Sequence, residues 1–238
     1  MLKRAAKSAF RSMGWEIRAL NHAYGLDLFF ELLDQLRFKA SHIVDVGANQ
    51  GNWTRTAVRY FPQALYTLVE PQQHLRARVQ DLEASHQIRW VNAGCADAPG
   101  FLPLTVAERD HSGSTFVPVN WAKRTIMVEV KTLDQVIAGE PVPELVKIDA
   151  EGYDLKVVDG AKTLLGKTDV FLIEAMICCE YENTAQAVIN RMAQAGYSIL
   201  DITDLNRSLK TGSLYLVDLA FARNGSALLE QCRSGYDR

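Results

Sequence analysis

Asp45-Val46-Gly47-Ala48-Asn49-Gln50-Gly51 decides how this chain folds. Ser41-His42-Ile43-Val44 leads into it as an apolar run, and Trp53-Thr54-Arg55-Thr56-Ala57-Val58-Arg59-Tyr60 follows it with apolar residues at helical spacing. The order is strand, glycine-rich turn, helix. Glycine lets the backbone turn tightly and lie against a ligand with no Cβ between them. A helix beginning there presents unpaired N–H groups to that ligand. Nineteen residues beyond Gly51 stands Glu70, which closes the apolar run Leu65-Tyr66-Thr67-Leu68-Val69. In open α/β sheets an acid in this place, about 20 residues on, grips a nucleotide ribose.

The glycine spacing is G-x-x-x-G, not the G-x-G-x-x-G that brings backbone against a pyrophosphate. An acid opening the turn repels a pyrophosphate and suits a cationic or amino-bearing ligand. The pattern therefore favours S-adenosylmethionine (AdoMet) over NAD. A tight strand-to-helix turn also uses glycine for geometry alone, and it is Asp45 before the turn and Glu70 after it that weigh against that reading.

Going outward, the chain alternates. A helix is expected from Asn52 to Tyr60, stopping before Pro62, then a strand at Leu65–Val69. Pro71 sits in the first turn of a helix reaching Ala84, and residues 88–92 form the next strand. Alternating strands and helices imply right-handed crossovers and a mostly parallel sheet covered on both faces. Residues 101–106 and 125–130 then read as an inserted hairpin beside the cleft, joined by the polar loop His111-Ser112-Gly113-Ser114-Thr115. Alternation resumes with a strand at residues 145–149, a helix from Tyr153 to Leu165, and a strand at residues 170–174. A helix from Tyr181 to Ala195 ends at Gly196, and strands at residues 197–203 and 213–223 follow, the last expected to run antiparallel.

Before all this, Leu2, Ala6, Phe10, Met13, Ile17 and Leu20 recur at helical spacing, with Lys3, Arg4, Lys7, Arg11 and Arg18 on the polar face. Gly14 interrupts this helix and its apolar face is partly alanine, so it is read as docked on the domain with its charges in water. Contact with an anionic membrane surface is the alternative. A second helix is expected over Leu26 to Phe38. The resulting organisation is a helical extension over residues 1–40, a catalytic domain over 41–225 and a tail over 226–238.

Composition excludes several classes. The net charge of −2 gives no basic field for nucleic acid. The four cysteines include no C-x-x-C, and the adjacent Cys178 and Cys179 do not have zinc-ligand spacing. A disulfide framework is not expected, which fits a reducing cytoplasm. No apolar run reaches the roughly 18 residues of a membrane span. Oligomeric state is not readable.

Acids close four of the expected parallel strands: Asp45, Glu70, Asp149 and Glu174. Ligands in such sheets sit outside the carboxyl ends of the strands, and carboxylates are costly as packing residues. Asp45 and Glu70 fit the nucleotide half of the cleft, and Asp149, Glu151 and Glu174 the other half. One of these could be the general base for an acceptor hydroxyl. Alternatively, Asp149, Glu151 and Glu174 could hold a hard divalent cation such as magnesium. His111 is a further candidate base. Lys147 is read as the ion-pair partner of a neighbouring acid.

DVGANQG (Asp45 to Gly51) and KIDAEGYDLKVVDGA (Lys147 to Ala161) together resemble the FkbM family of AdoMet-dependent methyltransferases, the second stretch being the more specific. The segment Asn92-Ala93-Gly94-Cys95-Ala96-Asp97 and the loop at 112–114 are also similar, and the resemblance spans residues 41–223. It implies a Rossmann-like class I methyltransferase fold with a seven-stranded sheet and a reversed last strand, AdoMet as cofactor, and O-methylation of a sugar, glycan or natural-product hydroxyl. It implies that Asp45, Gly47 and Gly51 line the methionine end, Glu70 the ribose and Asp97 the adenine, with Asn49 a further cofactor-binding residue. Asp149 and Glu151 stand where the family has acids of its own. Asp154 departs from the longer Glu expected there.

Two rivals come from other classes. An NAD-dependent oxidoreductase on the same scaffold would show G-x-G-x-x-G without the opening acid. A non-catalytic module, held to a partner or membrane by the N-terminal helix, would lack the strand-end acids.

Overall fold

The computed structural model describes residues 25–107, 113–119, 124–177 and 182–235. The helix expected over residues 2–20, His111, Cys178 and Cys179 lie outside the described residues.

Seven strands form the central sheet: β1 (His42–Val46), β2 (Leu65–Val69), β3 (Gln87–Val91), β7 (Leu145–Ile148), β8 (Val170–Met176), β9 (Tyr197–Arg207) and β10 (Leu214–Arg223). Their order is β3-β2-β1-β7-β8-β10-β9. The first five run parallel, and β10 is antiparallel to both of its neighbours. This is the doubly wound sheet with a reversed final strand that the sequence predicts. The strand order reverses between β1 and β7, which places the crevice for a ligand at their carboxyl ends.

Both faces are covered because the strands alternate. In β1, Val44 and Val46 face one layer, with Val157, Val188 and Met192. These come from α5 (Asp154–Asp159) and α6 (Ala185–Gln194). Ile43 faces the other layer, with Phe29, Phe30, Ala57, Leu82 and Leu229. These come from α1 (Leu26–Gln35), α2 (Asn52–Ala57), α3 (Gln80–Ser85) and α7 (Ala227–Ser234). Phe30 of α1 stacks on Tyr60 with ring centroids 5.3 Å apart. Segments at both ends of the described chain, α1 and α7, thus complete one wall of the core.

The helices are shorter than the sequence predicts: those expected at Asn52–Tyr60 and Tyr181–Ala195 are Asn52–Ala57 and Ala185–Gln194. The segment after Pro71 is a 3-10 helix (Gln73–Arg78) followed by α3, broken at Val79, whose fully buried side chain packs under Gly51. The helix from Tyr153 is confined to α5 and stops at Gly160. A Cβ there would lie 2.2 Å from the Ala96 carbonyl oxygen. The helix expected from Leu26 to Phe38 ends at Gln35.

The inserted hairpin is real. β5 (Gly100–Thr105) pairs antiparallel with β6 (Thr125–Lys131), and the short β4 (Gly94–Cys95) adds to β6 as a second, three-stranded sheet. The capping box of Thr132 and Gln135 then starts α4 (Leu133–Val136).

Candidate active site

The turn after β1 is built to bring backbone into the crevice. Gly47 and Asn49 have φ of 73° and 46°, and Gly51 has 75°. A Cβ on Gly47 would sit 1.9 Å from the Asp149 carbonyl oxygen, so only glycine lets the ends of β1 and β7 approach this closely. The Gly47 and Ala48 amides both donate to the Val69 carbonyl, which ties the turn to the end of β2.

Asp45 takes no direct place in the cleft. It is 0% exposed, accepts a 2.6 Å hydrogen bond from the Thr54 hydroxyl and lies 3.1 Å from Lys147 Nζ. Lys147 also lies 3.1 Å from Asp149 Oδ2 and donates to the Gly47 carbonyl at 3.1 Å. Burial alone would lower the lysine pKa, but the two carboxylates outweigh it and raise it. The expected methionine contact from Asp45 is therefore corrected: its carboxylate holds Lys147, which fastens the turn from behind. The register of parallel β1 and β7 makes this possible by setting Asp45 beside Lys147.

Glu70 is where the sequence puts it. Its Oε2 accepts from the Asn49 amide at 3.0 Å and its Oε1 from the Gln72 amide at 2.9 Å. Burial raises its pKa, against those two N–H donors. A carboxylate has about four lone-pair sites, so two vicinal hydroxyls can still be gripped. Around it lies a cleft of about 600 Å³, whose lining includes Gly47, Asn49, Glu70, Gln72, Asp149 and Glu151. Asn49 Oδ1 and Gln72 Oε1 are buried in this lining and have no hydrogen-bond partner among the described residues. Both await N–H or O–H donors, and a ligand with ribose hydroxyls and amino groups brings them. Gln72 was missed by sequence reasoning, and no motif marks it.

At the far end of the cleft, Gly94, Cys95, Leu104 and Phe116 form an apolar wall. A Cβ on Gly94 would meet the Phe116 ring at 2.5 Å. Asp97, expected at the adenine, is not in this lining; it pairs with Lys156 at 3.4 Å on the exposed side of α5. Cys95 is a packing residue, its thiol pushed up to about 12 by burial.

The other acids separate into distinct roles. Asp149 and Glu151 both reach the cleft. Glu151 stands at a φ of 50°, before Gly152 at 93°. Asp154 sets this turn: its carboxyl accepts from the Ala150 amide at 2.8 Å, the Gly152 amide at 3.0 Å and Asn183 Nδ2 at 2.9 Å. Glu151 Oε1 accepts from the Gly113 amide at 2.7 Å, and its carbonyl accepts from the Thr115 hydroxyl at 2.7 Å. The inserted hairpin's loop is thereby held against the Glu151-Gly152 turn. Glu174 lies inside β8 and not at its end, 9% exposed, where burial and then the Asp149, Glu151, Asp154 and Asp218 charges raise its pKa.

No three His, Cys, Asp or Glu side chains among the described residues are disposed to hold a metal ion. The expected set of Asp149, Glu151 and Glu174 does not form one, because Asp149 is turned to Lys147, Glu151 to the loop at Gly113, and Glu174 into the core. A second cavity of about 510 Å³ adjoins the cleft; Glu151 and Gly113 line both, and Thr115, Gly152 and Met176 continue it.

The family model of the methyltransferase FkbM domain matches residues 45–199, well over half of the chain. The chain belongs to the FkbM methyltransferase family. It is an AdoMet-dependent methyltransferase. Among solved structures it is similar to the precorrin-6Y C5,15-methyltransferase of Geobacter metallireducens GS-15, at 14% identity over 81% of this chain and 86% of the other, TM-score 0.47. It is also similar to the 1,6-didemethyltoxoflavin N1-methyltransferase of Burkholderia thailandensis, crystallised with S-adenosylhomocysteine, at 16% identity over 94% and 88%, TM-score 0.44. A third is the O-methyltransferase NcsB1 of neocarzinostatin biosynthesis, crystallised with AdoMet, at 11% identity over 84% of this methyltransferase and 53% of the other chain, TM-score 0.46. No curated protein matches it in sequence. Among the described residues, no helix is long and apolar enough to cross a membrane.

Proposed function

We propose that this methyltransferase methylates a hydroxyl of a sugar, glycan or comparable natural product, and that Glu151 takes the proton. AdoMet supplies an activated methyl group, which leaves the protein to seat the acceptor oxygen and receive its proton. The observation that carries the reading is that Glu151 lines both the donor cleft and the adjoining cavity. A carboxylate at that junction is within reach of an acceptor that enters from the second cavity. Lys147 holds Asp149 beside it, and Asp154 holds the backbone that aims it.

The test is to incubate the protein and methyl-labelled AdoMet with carbohydrate and small-molecule fractions of a cell extract. Label in a product that survives alkaline hydrolysis, as an ether does and an ester does not, supports the reading. It should vanish with Glu151→Gln while S-adenosylhomocysteine binds within about twofold of wild type, since the amide keeps the shape of the site. Label found only in alkali-labile or N-methyl products, or full transfer by Glu151→Gln, contradicts it.

A further inference from the structure

A third cavity, of about 670 Å³, lies on the far side of the Gly152 turn. It shares the lining residues Val117 and Gly152 with the cavity next to Glu151, which in turn shares Gly113 and Glu151 with the donor cleft. Asn183 in its wall is 1% exposed. Its Nδ2 donates to Asp154 Oδ2 at 2.9 Å and to the Glu174 carbonyl at 3.2 Å. A carbonyl oxygen only accepts, so the nitrogen must face it and the amide cannot be flipped. Asn183 Oδ1 is thereby fixed on the other side, buried and without a hydrogen-bond partner among the described residues. A buried acceptor in this state is a place for a donor from outside the chain.

The rest of the wall says what carries that donor. Tyr153 gives an aromatic surface, braced by Phe116 at 5.4 Å between ring centroids, and Val117 and Leu155 are apolar. Glu182 is at this cavity and Glu151 at the next, whereas the one cation among the described residues of its lining, Lys156, already faces Asp97. An anion would be repelled here, and an uncharged ring would not.

We propose that this cavity seats the part of the acceptor that lies beyond its reacting hydroxyl, the latter being at Glu151 in the adjoining cavity, and that it takes an uncharged ring bearing hydroxyls: one face lies on Tyr153 and one hydroxyl donates to Asn183 Oδ1. The inference rests on the hydroxyl-methylation reading and adds the seat and its selectivity. A pyranoside and a hydroxylated aromatic share this chemistry.

The experiment is saturation-transfer NMR on the full chain with S-adenosylhomocysteine present. Its probes are the methyl glycosides of glucose, mannose, rhamnose and fucose, catechol, and two anions, glucuronate and 3,4-dihydroxybenzoate. Neutral probes should bind at least about tenfold better than their anionic counterparts, and Asn183→Leu and Tyr153→Ala should each weaken them by about tenfold. Which neutral class binds separates sugar from aromatic. Should Asn183→Leu not fold, Tyr153→Ala carries the test. No neutral probe binding, equal binding of the anions, or unchanged binding in the folded variants overturns the inference and leaves the methyltransferase reading standing. Failure of S-adenosylhomocysteine itself to bind overturns both.

Discussion

Lys147→Met should cost more stability than any exposed ion pair could. The ammonium is 3.1 Å from Asp45 Oδ1 and 3.1 Å from Asp149 Oδ2, with its side chain 9% exposed and that of Asp45 0% exposed. Methionine fills the volume of the aliphatic stem but leaves the Asp45 carboxylate with the Thr54 hydroxyl as its remaining hydrogen-bond donor. Removing one partner of a buried pair costs about 3–5 kcal/mol. At roughly 2–4 °C per kcal/mol for a chain of this size, Tm should fall by about 6–20 °C. The loss should be uniform through neutral pH. The folded-state pKa of Lys147 is raised, so its contribution is fully present below the unfolded value of 10.5 and fades only as pH rises through the folded one. Urea melts of the single variant and of Lys147→Met with Asp45→Asn decide the matter. The double variant should regain at least about half of the loss, because no buried charge is then left unpaired. A single variant within about 1 kcal/mol of wild type, or a double variant no better than the single, refutes the reasoning.

Gly47→Ala places a Cβ 1.9 Å from the Asp149 carbonyl, at a φ of 73°. The left-handed backbone alone costs an alanine about 1–2 kcal/mol, so a larger loss in urea melts, with weakened S-adenosylhomocysteine binding, is expected from the forced parting of β1 and β7. Asp218, opposite Glu174 across β8 and β10, has its carboxyl pushed up to about 7 by burial and then by Asp149. The folded chain keeps that proton where the unfolded chain loses it, so stability falls as pH rises from about 4 to 7. Asp218→Asn should flatten this slope and be more stable than wild type at pH 8 by on the order of 1–3 kcal/mol.

The sheet was legible because its strands are short apolar runs punctuated by Gly and Pro, and the reversed last strand followed from the family resemblance. Helix lengths were less so: Val79 and Gly160 end helices for reasons of contact with Gly51 and with the Ala96 carbonyl, which periodicity does not record. Within the site, Glu70, Gly47 and Glu151 were readable from spacing. The demotion of Asp45 was not, since it depends on Asp45 and Lys147 being register partners on neighbouring strands. Gln72 and Asn183 carry no motif at all, and only their stranded buried oxygens mark them. Asp97 misled because following the strand closely in sequence does not place a side chain in the cleft; it turns to Lys156 instead.

The most direct test of the account is a calorimetric titration of S-adenosylhomocysteine into the wild-type protein and into Glu70→Ala. The account predicts micromolar binding by the wild type and its loss in a folded Glu70→Ala, since Glu70 is the acid held by the Asn49 and Gln72 amides in the wall of the donor cleft. Folded wild-type protein that does not bind, or a Glu70→Ala variant that binds unchanged, contradicts it.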